Sequence, residues 1–171
     1  IQGMFMDLNR DLTLWTYQST DGSNQTTVMY NYNFKKNNIG FTLGAGIDTD
    51  FNRTGFIADG KVNIGLGKHT SVQFRARTRN GEDYNKFQGR LAITESFQVA
   101  KGTSIYVTPY GALNVDCNTG TVKPNVGAFA GVNYSINEHL SVGAEVQRYN
   151  LQEPTVQDSN WSFNGKLGYK F

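Results

Sequence analysis

From Thr26 to Phe34 the chain alternates without a break. Val28, Tyr30, Tyr32 and Phe34 share one face, and Thr27, Met29, Asn31 and Asn33 share the other. The same step of two returns along most of the sequence. Ile39, Phe41, Leu43, Ala45 and Ile47 oppose Gly40, Thr42, Gly44, Gly46 and Asp48. Phe56, Ala58, Val62, Ile64 and Leu66 oppose Asp59, Lys61 and Asn63, and Val72, Phe74 and Ala76 oppose Gln73, Arg75 and Arg77. In the second half Phe87, Leu91 and Ile93 oppose Lys86, Gln88 and Arg90, and Ile105, Val107 and Leu113 oppose Tyr106, Thr108 and Tyr110. Three further alternating segments cover 126–134, 140–147 and 161–171. A period of two is the signature of strands with two unlike faces, and no segment carries the 3.6 period of a helix. With a first strand over 4–17, the pattern predicts ten strands.

The connections predict how the strands are joined. Lys35–Asn38, Gly67–His69, Ala100–Gly102 and Asn137–His139 read as tight turns. Ser19–Gln25, Asn80–Asp83, Asp116–Pro124 and Asn150–Ser159 read as longer polar loops at the opposite end, with Asn52–Gly55 a short member of that set. An even number of up-and-down antiparallel strands closes on itself and removes its edges. The expectation is an all-β, ten-stranded antiparallel up-and-down transmembrane β-barrel forming one domain over 1–171.

Alternation does not say which face is outside. A lipocalin-like barrel is apolar within, and a membrane barrel is apolar without. Aromatic residues decide. On the apolar face Phe34, Phe41, Phe74 and Tyr134 cluster toward the turns, and Phe51, Phe56, Phe87, Trp161 and Phe163 toward the loops. Between them lie Leu43, Ala45, Val62, Leu91, Ala128, Val142 and Ala144. Two aromatic belts around an aliphatic band match the two interfaces of a bilayer. The polar face mixes glycine with charges of both signs: Asp48, Asp59, Lys61, Arg75, Arg77, Lys86, Arg90, Glu145 and Lys166. These read as lumen-lining residues.

Composition narrows the classes further. The chain has 171 residues, 19 Gly, 3 Pro and 13% aromatics, which favours long strands over helices. Sixteen Lys+Arg against 14 Asp+Glu give +2, with no run of like charge, so nucleic acid is not an expected partner. No stretch of ~18 apolar residues supports a membrane-spanning helix. The single Cys117 permits no internal disulfide. The chain opens Ile1-Gln2-Gly3 and is read as mature or trimmed.

The last strand ends Leu167-Gly168-Tyr169-Lys170-Phe171, with Leu167, Tyr169 and Phe171 two residues apart. This ending resembles the carboxy-terminal insertion signal of Gram-negative outer-membrane barrels. The whole chain resembles the class of small eight- and ten-stranded barrels of that membrane. The resemblance implies a bacterial outer-membrane location, with lipid bilayer, lipopolysaccharide and the outer-membrane insertion machinery as partners. It also implies that an enzyme of this class would carry catalytic groups, often a histidine, at the outer rim. His69 and His139 both fall in turns at the other end, so no catalytic, metal or cofactor site is expected.

Two clusters on the polar face carry candidate chemistry. Pairing across the Asn52–Gly55 loop is expected to bring Asp59 near Asp48; two close carboxylates can share a proton or bind a cation, and the favoured reading is a salt-bridge network with the adjacent Arg77. Pairing across Asn80–Asp83 is expected to set Arg77 opposite Lys86, with Arg75 and Arg90 on neighbouring rungs and Lys61 beside Arg75. A wall of like charge needs acids, water or passing anions to compensate it. One reading is a narrow, anion-preferring channel for small solutes, with small anions as partners. The alternatives are a closed structural or host-contact barrel and a soluble lipid-binding barrel. Three residues fit the pattern badly. Arg10 and Glu95 carry charge on the apolar face, and a bulge near Asn9 or a later start of the membrane strand would relieve Arg10. Pro109 falls inside a strand, where a bulge or interruption is expected.

Overall fold

The computed structural model describes residues 7–19, 24–50, 53–81, 84–149 and 161–171. Ten strands follow in chain order: β1 (Asp7–Ser19), β2 (Asn24–Lys36), β3 (Ile39–Asp50), β4 (Arg53–Gly65), β5 (Thr70–Gly81), β6 (Tyr84–Ala100), β7 (Thr103–Asp116), β8 (Thr121–Ser135), β9 (Leu140–Arg148) and β10 (Trp161–Lys170). Each pairs antiparallel with its neighbours in sequence, and β1 pairs with β10, so the sheet is a closed barrel. Strands tilt as closure requires. One hydrogen-bonded row starts at Phe41 near the turn end of β3 and climbs through Val62, Phe74, Leu91 and Gly111 to Val126, near the loop end of β8.

The outer wall is apolar. Leu43, Ile47, Phe56, Phe74, Leu91, Ile105, Leu113, Val126, Phe163 and Leu167 are all exposed there, Phe56 to 75% and Leu43 to 60%. The buried apolar residues among those described are few: Met29, Ile57, Ala92, Tyr106, Tyr110 and Ala112. Asp48, Asp59 and Arg77 are buried instead. A protein folded in water does the reverse, and a soluble monomer rarely shows a contiguous apolar patch above a few hundred Å². This inversion excludes the soluble lipid-binding barrel.

The structure revises several local expectations. No bulge or change of phase occurs near Asn9: β1 holds one register with β2 from Asp7 to Gln18. Arg10 stays on the outer wall, exposed, opposite Tyr32 and level with the end of β10, where its carbonyl accepts the Phe171 amide at 3.1 Å. Height rather than phase makes the charge tolerable. Glu95 also faces outward near the turn end, where its carboxylate accepts the Thr70 hydroxyl at 2.7 Å. At Pro109 β7 does not bulge and its register with β8 runs straight through, but the interruption expected there is present. On the other side the ladder to β6 skips residues 93 and 94, and the Thr94 and Thr108 hydroxyls meet there at 2.8 Å. Proline has removed a donor from one ladder only. The bulge of β6 lies lower, between Gln98 and Ala100.

The loop end is also shorter than expected over three connections. Thr121–Pro124 belong to β8, which leaves Cys117–Gly120 as the turn. That turn is capped by Asp116, whose carboxylate accepts the Asn118 and Thr119 amides at 3.0 and 3.1 Å. Gly120 takes a left-handed φ of 71° that a side chain would oppose. Asp50 pairs with Arg53 and Gly81 with Tyr84, so the strands run closer to their tips than the polar sequence suggests. The ladder continues beyond the apolar band because Thr, Lys and Asn serve a wet strand as well as a loop. The segments at 20–23 and 150–160 lie outside the described residues, as does the belt residue Phe51.

Candidate functional site: the charged lumen

Alternation sends every second side chain into the barrel, and the register decides which of them meet. Asp59 of β4 stands opposite Arg77 of β5, and Lys61 opposite Arg75. Arg77 Nη2 donates to Asp59 Oδ2 at 2.8 Å and Arg75 Nε donates to Oδ1 at 2.8 Å. Lys61 Nζ lies 3.4 Å from Oδ2. One fully buried carboxylate thus gathers three cations. The expected network around Arg77 is present, but Asp48 is set back from Asp59 and acts on Arg77 only through its charge. Asp48 stands opposite Gly55, four residues from the Gly44 that faces Asp59, because the β3–β4 connection is two residues tighter than the sequence suggested. Asp48 has its own partners: Thr27 and Gln25 each donate at 2.6 Å, and Arg79 Nε lies 3.2 Å away.

The basic strip also differs in register. Arg77 faces Gln88, and it is Arg79 that faces Lys86; Arg75 and Arg90 are direct partners across β5 and β6. Arg79 shares the parity of Arg75 and Arg77, and extending β5 by two residues would have revealed it. Lys86 is exposed near the loop end, beside Asp116 in register. Arg90 Nη2 donates to Gln73 Oε1 at 2.9 Å, and its guanidinium sits 5.5 Å from the Tyr110 ring centre and 5.4 Å from that of Phe129.

The opposite wall is built by β7 to β10. Glu145 accepts from Tyr106 Oη at 2.8 Å, from Asn164 at 2.9 Å and from Lys166 Nζ at 2.6 Å. Gln147 donates to Tyr110 Oη at 2.6 Å. Both tyrosines bring their hydroxyl end over a glycine: Tyr110 over Gly127, and Tyr106 over Gly131. A methyl group at either glycine would collide with that phenol and with a backbone carbonyl of β9, that of Arg148 or of Ala144. These glycines are what let two inward aromatics hug the wall. Tyr106, Tyr110 and Phe129 were legible as polar-face positions but carried no charge to single them out.

The lumen is filled on one side and open on the other. Met29, Asn31, Ile57, Asp48 and Asp59 pack the β2–β4 side almost without exposure. Along β5–β10 runs a cavity of about 710 Å³. Its lining reaches from Gln25, Arg79 and Tyr149 toward the loops to Ser96 and Asn133 toward the turns, and includes Lys61, Arg75, Arg77, Arg90, Glu145 and Lys166. At the turn end of the β1–β3 wall Asp11 is held by neutral donors, Asn31 and Asn33 at 2.6 Å and Thr13 at 3.0 Å.

On the outer wall Phe41, Phe74, Tyr134, Phe56, Phe87, Trp161 and Phe163 are exposed and Phe34 is half-buried. Arg148 lies over the Trp161 ring at 5.4 Å. Leu167, Tyr169 and Phe171 are exposed on one face of β10. The histidines are far from the lumen acids. His69 Nδ1 bonds the Ser96 carbonyl at 3.1 Å while its ring stacks on Phe97, and His139 Nδ1 bonds the Lys170 carbonyl at 3.0 Å while its ring stacks on Tyr169.

No family model and no curated protein matches the sequence. Solved structures do match in fold. The NanC porin superposes with a TM-score of 0.58 at 12% identity, over 94% of this chain and 100% of that one. The KdgM porin in complex with disordered oligogalacturonate gives 0.53 at 12% identity, over 94% and 99%. A second KdgM porin structure gives 0.52 at 13% identity, over 94% and 99%. With its apolar outer wall and closed antiparallel barrel, the chain has the fold of the small porin barrels of the bacterial outer membrane.

Proposed function

We propose that this chain is a non-enzymatic outer-membrane barrel whose narrow polar lumen passes small solutes, anions before cations. The observation that carries the reading is the 710 Å³ cavity whose lining extends from the loop end to the turn end. Among the described residues six cations border it: Lys61, Arg75, Arg77, Arg79, Arg90 and Lys166. Three acids, Asp48, Asp59 and Glu145, are bound to them, so the described part of the wall keeps an excess of three positive charges. Charge lining a confined aqueous path raises the local concentration of the opposite ion. KdgM is a porin seen with an acidic oligosaccharide; here the preference rests on this chain's own residues. In this reading the turns at Lys35, Lys68, Lys101 and His139 face the periplasm. Lipopolysaccharide contacts the loop-end belt, and the insertion machinery reads the Leu167, Tyr169, Phe171 face.

A closed structural barrel has one observation in its favour: Met29 and Ile57 plug the β2–β4 side with apolar bulk. Planar-bilayer recording separates the two. A channel gives discrete current steps whose reversal potential favours chloride over potassium, and Arg75→Ala with Arg77→Ala shifts that potential toward potassium. Silence at every salt concentration returns the barrel to a structural role.

A further inference from the structure

We propose that the outer wall holds a site for one anionic phospholipid, in which Arg10 takes the headgroup phosphate and the rings of Tyr30, Tyr32 and Phe171 border the lipid's glycerol end. The inference rests on the apolar outer wall alone and stands whether or not the lumen conducts. Arg10 is exposed on that wall near the turn end. Tyr32 of β2 pairs with it on one side, and on the other its carbonyl accepts the Phe171 amide. An arc of rings crosses these strands beside it. Tyr32 and Tyr30 are 5.2 Å apart between centres, Tyr30 and Phe171 6.2 Å, and Phe171 and Tyr169 5.2 Å. Tyr32, Tyr169 and Phe171 are themselves exposed. Amphipathic rings of this kind sit at the headgroup level of a bilayer, so the arc places Arg10 within reach of phosphate.

The charge is not balanced by the protein. Among the described residues no group accepts a hydrogen bond from this guanidinium, and no carboxylate lies within ion-pair distance of it. Glu95, the outward acid near this end, stands on β6, across the ring of strands from β1, and its carboxylate is engaged by Thr70. Arg148, which also faces outward, lies near the other end over the Trp161 ring. A cation on a lipid-facing wall is costly until it meets a counter-charge at the interface. The exposed guanidinium presents parallel N–H groups that match two oxygens of one phosphate. Inorganic phosphate would fill that fork and leave the rings bare. A phospholipid supplies the phosphate and, behind it, a glycerol and acyl chains to lie along Tyr30, Tyr32 and Leu12. A zwitterionic headgroup brings an ammonium of its own and leaves Arg10 unbalanced, whereas an anionic one cancels it. Lys36, Lys68 and Lys101, exposed at the same end, outnumber Glu138 there and add to the attraction.

Native mass spectrometry of the barrel in detergent, titrated with dioleoyl phosphatidylglycerol or dioleoyl phosphatidylethanolamine, tests the site. The expected result is one phosphatidylglycerol adduct that forms at about tenfold lower lipid concentration than the phosphatidylethanolamine adduct. Arg10→Gln is expected to remove that difference. Lys123→Gln, at an exposed position near the loop end, leaves it as it was. Heat-modifiable migration shows that each variant has folded. Equal retention of the two lipids by the parent barrel overturns the site without any variant, and so does a preference that survives in Arg10→Gln. Excess inorganic phosphate at constant ionic strength separates the two sources of the anion. Phosphatidylglycerol that stays bound supports a lipid site, and its displacement would show a free-anion site and overturn the lipid assignment.

Discussion

Asp59 and Arg77 meet directly across β4 and β5, oxygen to nitrogen at 2.8 Å, in the part of the lumen that is almost closed to solvent. The acid also serves Arg75 and Lys61, so the carboxylate is the hub and the cations are its spokes.

Removing the hub leaves three cations facing one another. Breaking a buried ion pair from one side typically costs about 3–5 kcal/mol. Asp59→Asn is expected to lower stability to urea in lipid vesicles by about 3 kcal/mol, the low end because the adjoining cavity admits water. It also raises the lumen's net positive charge by one. The reversal potential of any conducting variant is expected to move further toward chloride. Unchanged stability would mean that the three cations are neutralised by something other than Asp59.

The two tyrosine–glycine contacts make a second prediction. Gly127 and Gly131 lie beneath Tyr110 and Tyr106, and a Cβ at either would meet both the phenol and a backbone carbonyl of β9, that of Arg148 or of Ala144. Gly131→Ala is expected to swing Tyr106 into the bore and narrow it, which single-channel conductance would record as a smaller step. Adding Tyr106→Ala takes the ring out of the bore and is expected to restore the step, while the stability lost to the new methyl's contact with the Ala144 carbonyl stays lost. Gly111→Ala is the control: it faces outward with no atom within 4 Å, and leaves conductance as it was.

Much of this arrangement is legible in the sequence. Ten strands, the inward set Asp48, Asp59, Lys61, Arg75, Arg77, Arg90, Glu145 and Lys166, and the outward belts all follow from a side-chain period of two, which is insensitive to small errors in strand ends. Register is sensitive to them. A longer β3–β4 connection, extended at its β4 end, would bring Asp48 to Asp59, and a shift of two residues at the β5–β6 connection would set Arg77 against Lys86 instead of Gln88. Polar strand tips such as Thr121 and Lys123 read as loop because a strand beyond the apolar band carries no hydrophobic alternation. The tyrosine niches needed three-dimensional contact to be seen at all: Gly127 and Gly131 look like lumen filler until a ring is found above each.

The histidine turns are a repeated device. His69 and His139 each lie in a turn and bond the next strand but one, with the backbone amides of Ser96 and Lys170 returning bonds to the histidine carbonyls at 2.9 and 2.8 Å. Replacing the ring by Ala removes one side-chain hydrogen bond and one aromatic stack. Each contributes about 0.5–1.5 kcal/mol, less at an exposed site. His69→Ala and His139→Ala are each expected to cost about 1 kcal/mol in urea unfolding, and the double variant the sum, because the two turns share no partner. A double variant as stable as the parent would show that the backbone bonds alone hold these turns.

The orientation of the two faces has a test of its own. Leu43 is 60% exposed on the outer wall, register partner of Tyr32 and Gly60, in the aliphatic middle of its strand. Facing water, Leu43→Arg would be close to neutral, since exposed substitutions usually stay within about 0.5 kcal/mol. Facing hydrocarbon, the same change places a charge near mid-bilayer, at a cost of about 2–4 kcal/mol. Thr54→Arg, exposed on the outer wall one residue into β4 from the loop end, falls at the interface, where the cost drops to about 0–1 kcal/mol. Urea unfolding of both variants in lipid vesicles is therefore expected to show a deep dependence on height: a large loss at 43 and a small one at 54. Equal, small losses at the two positions would mean that the apolar stripe does not look onto lipid, and the lumen assignment of Arg75, Arg77 and Arg90 would fall with it.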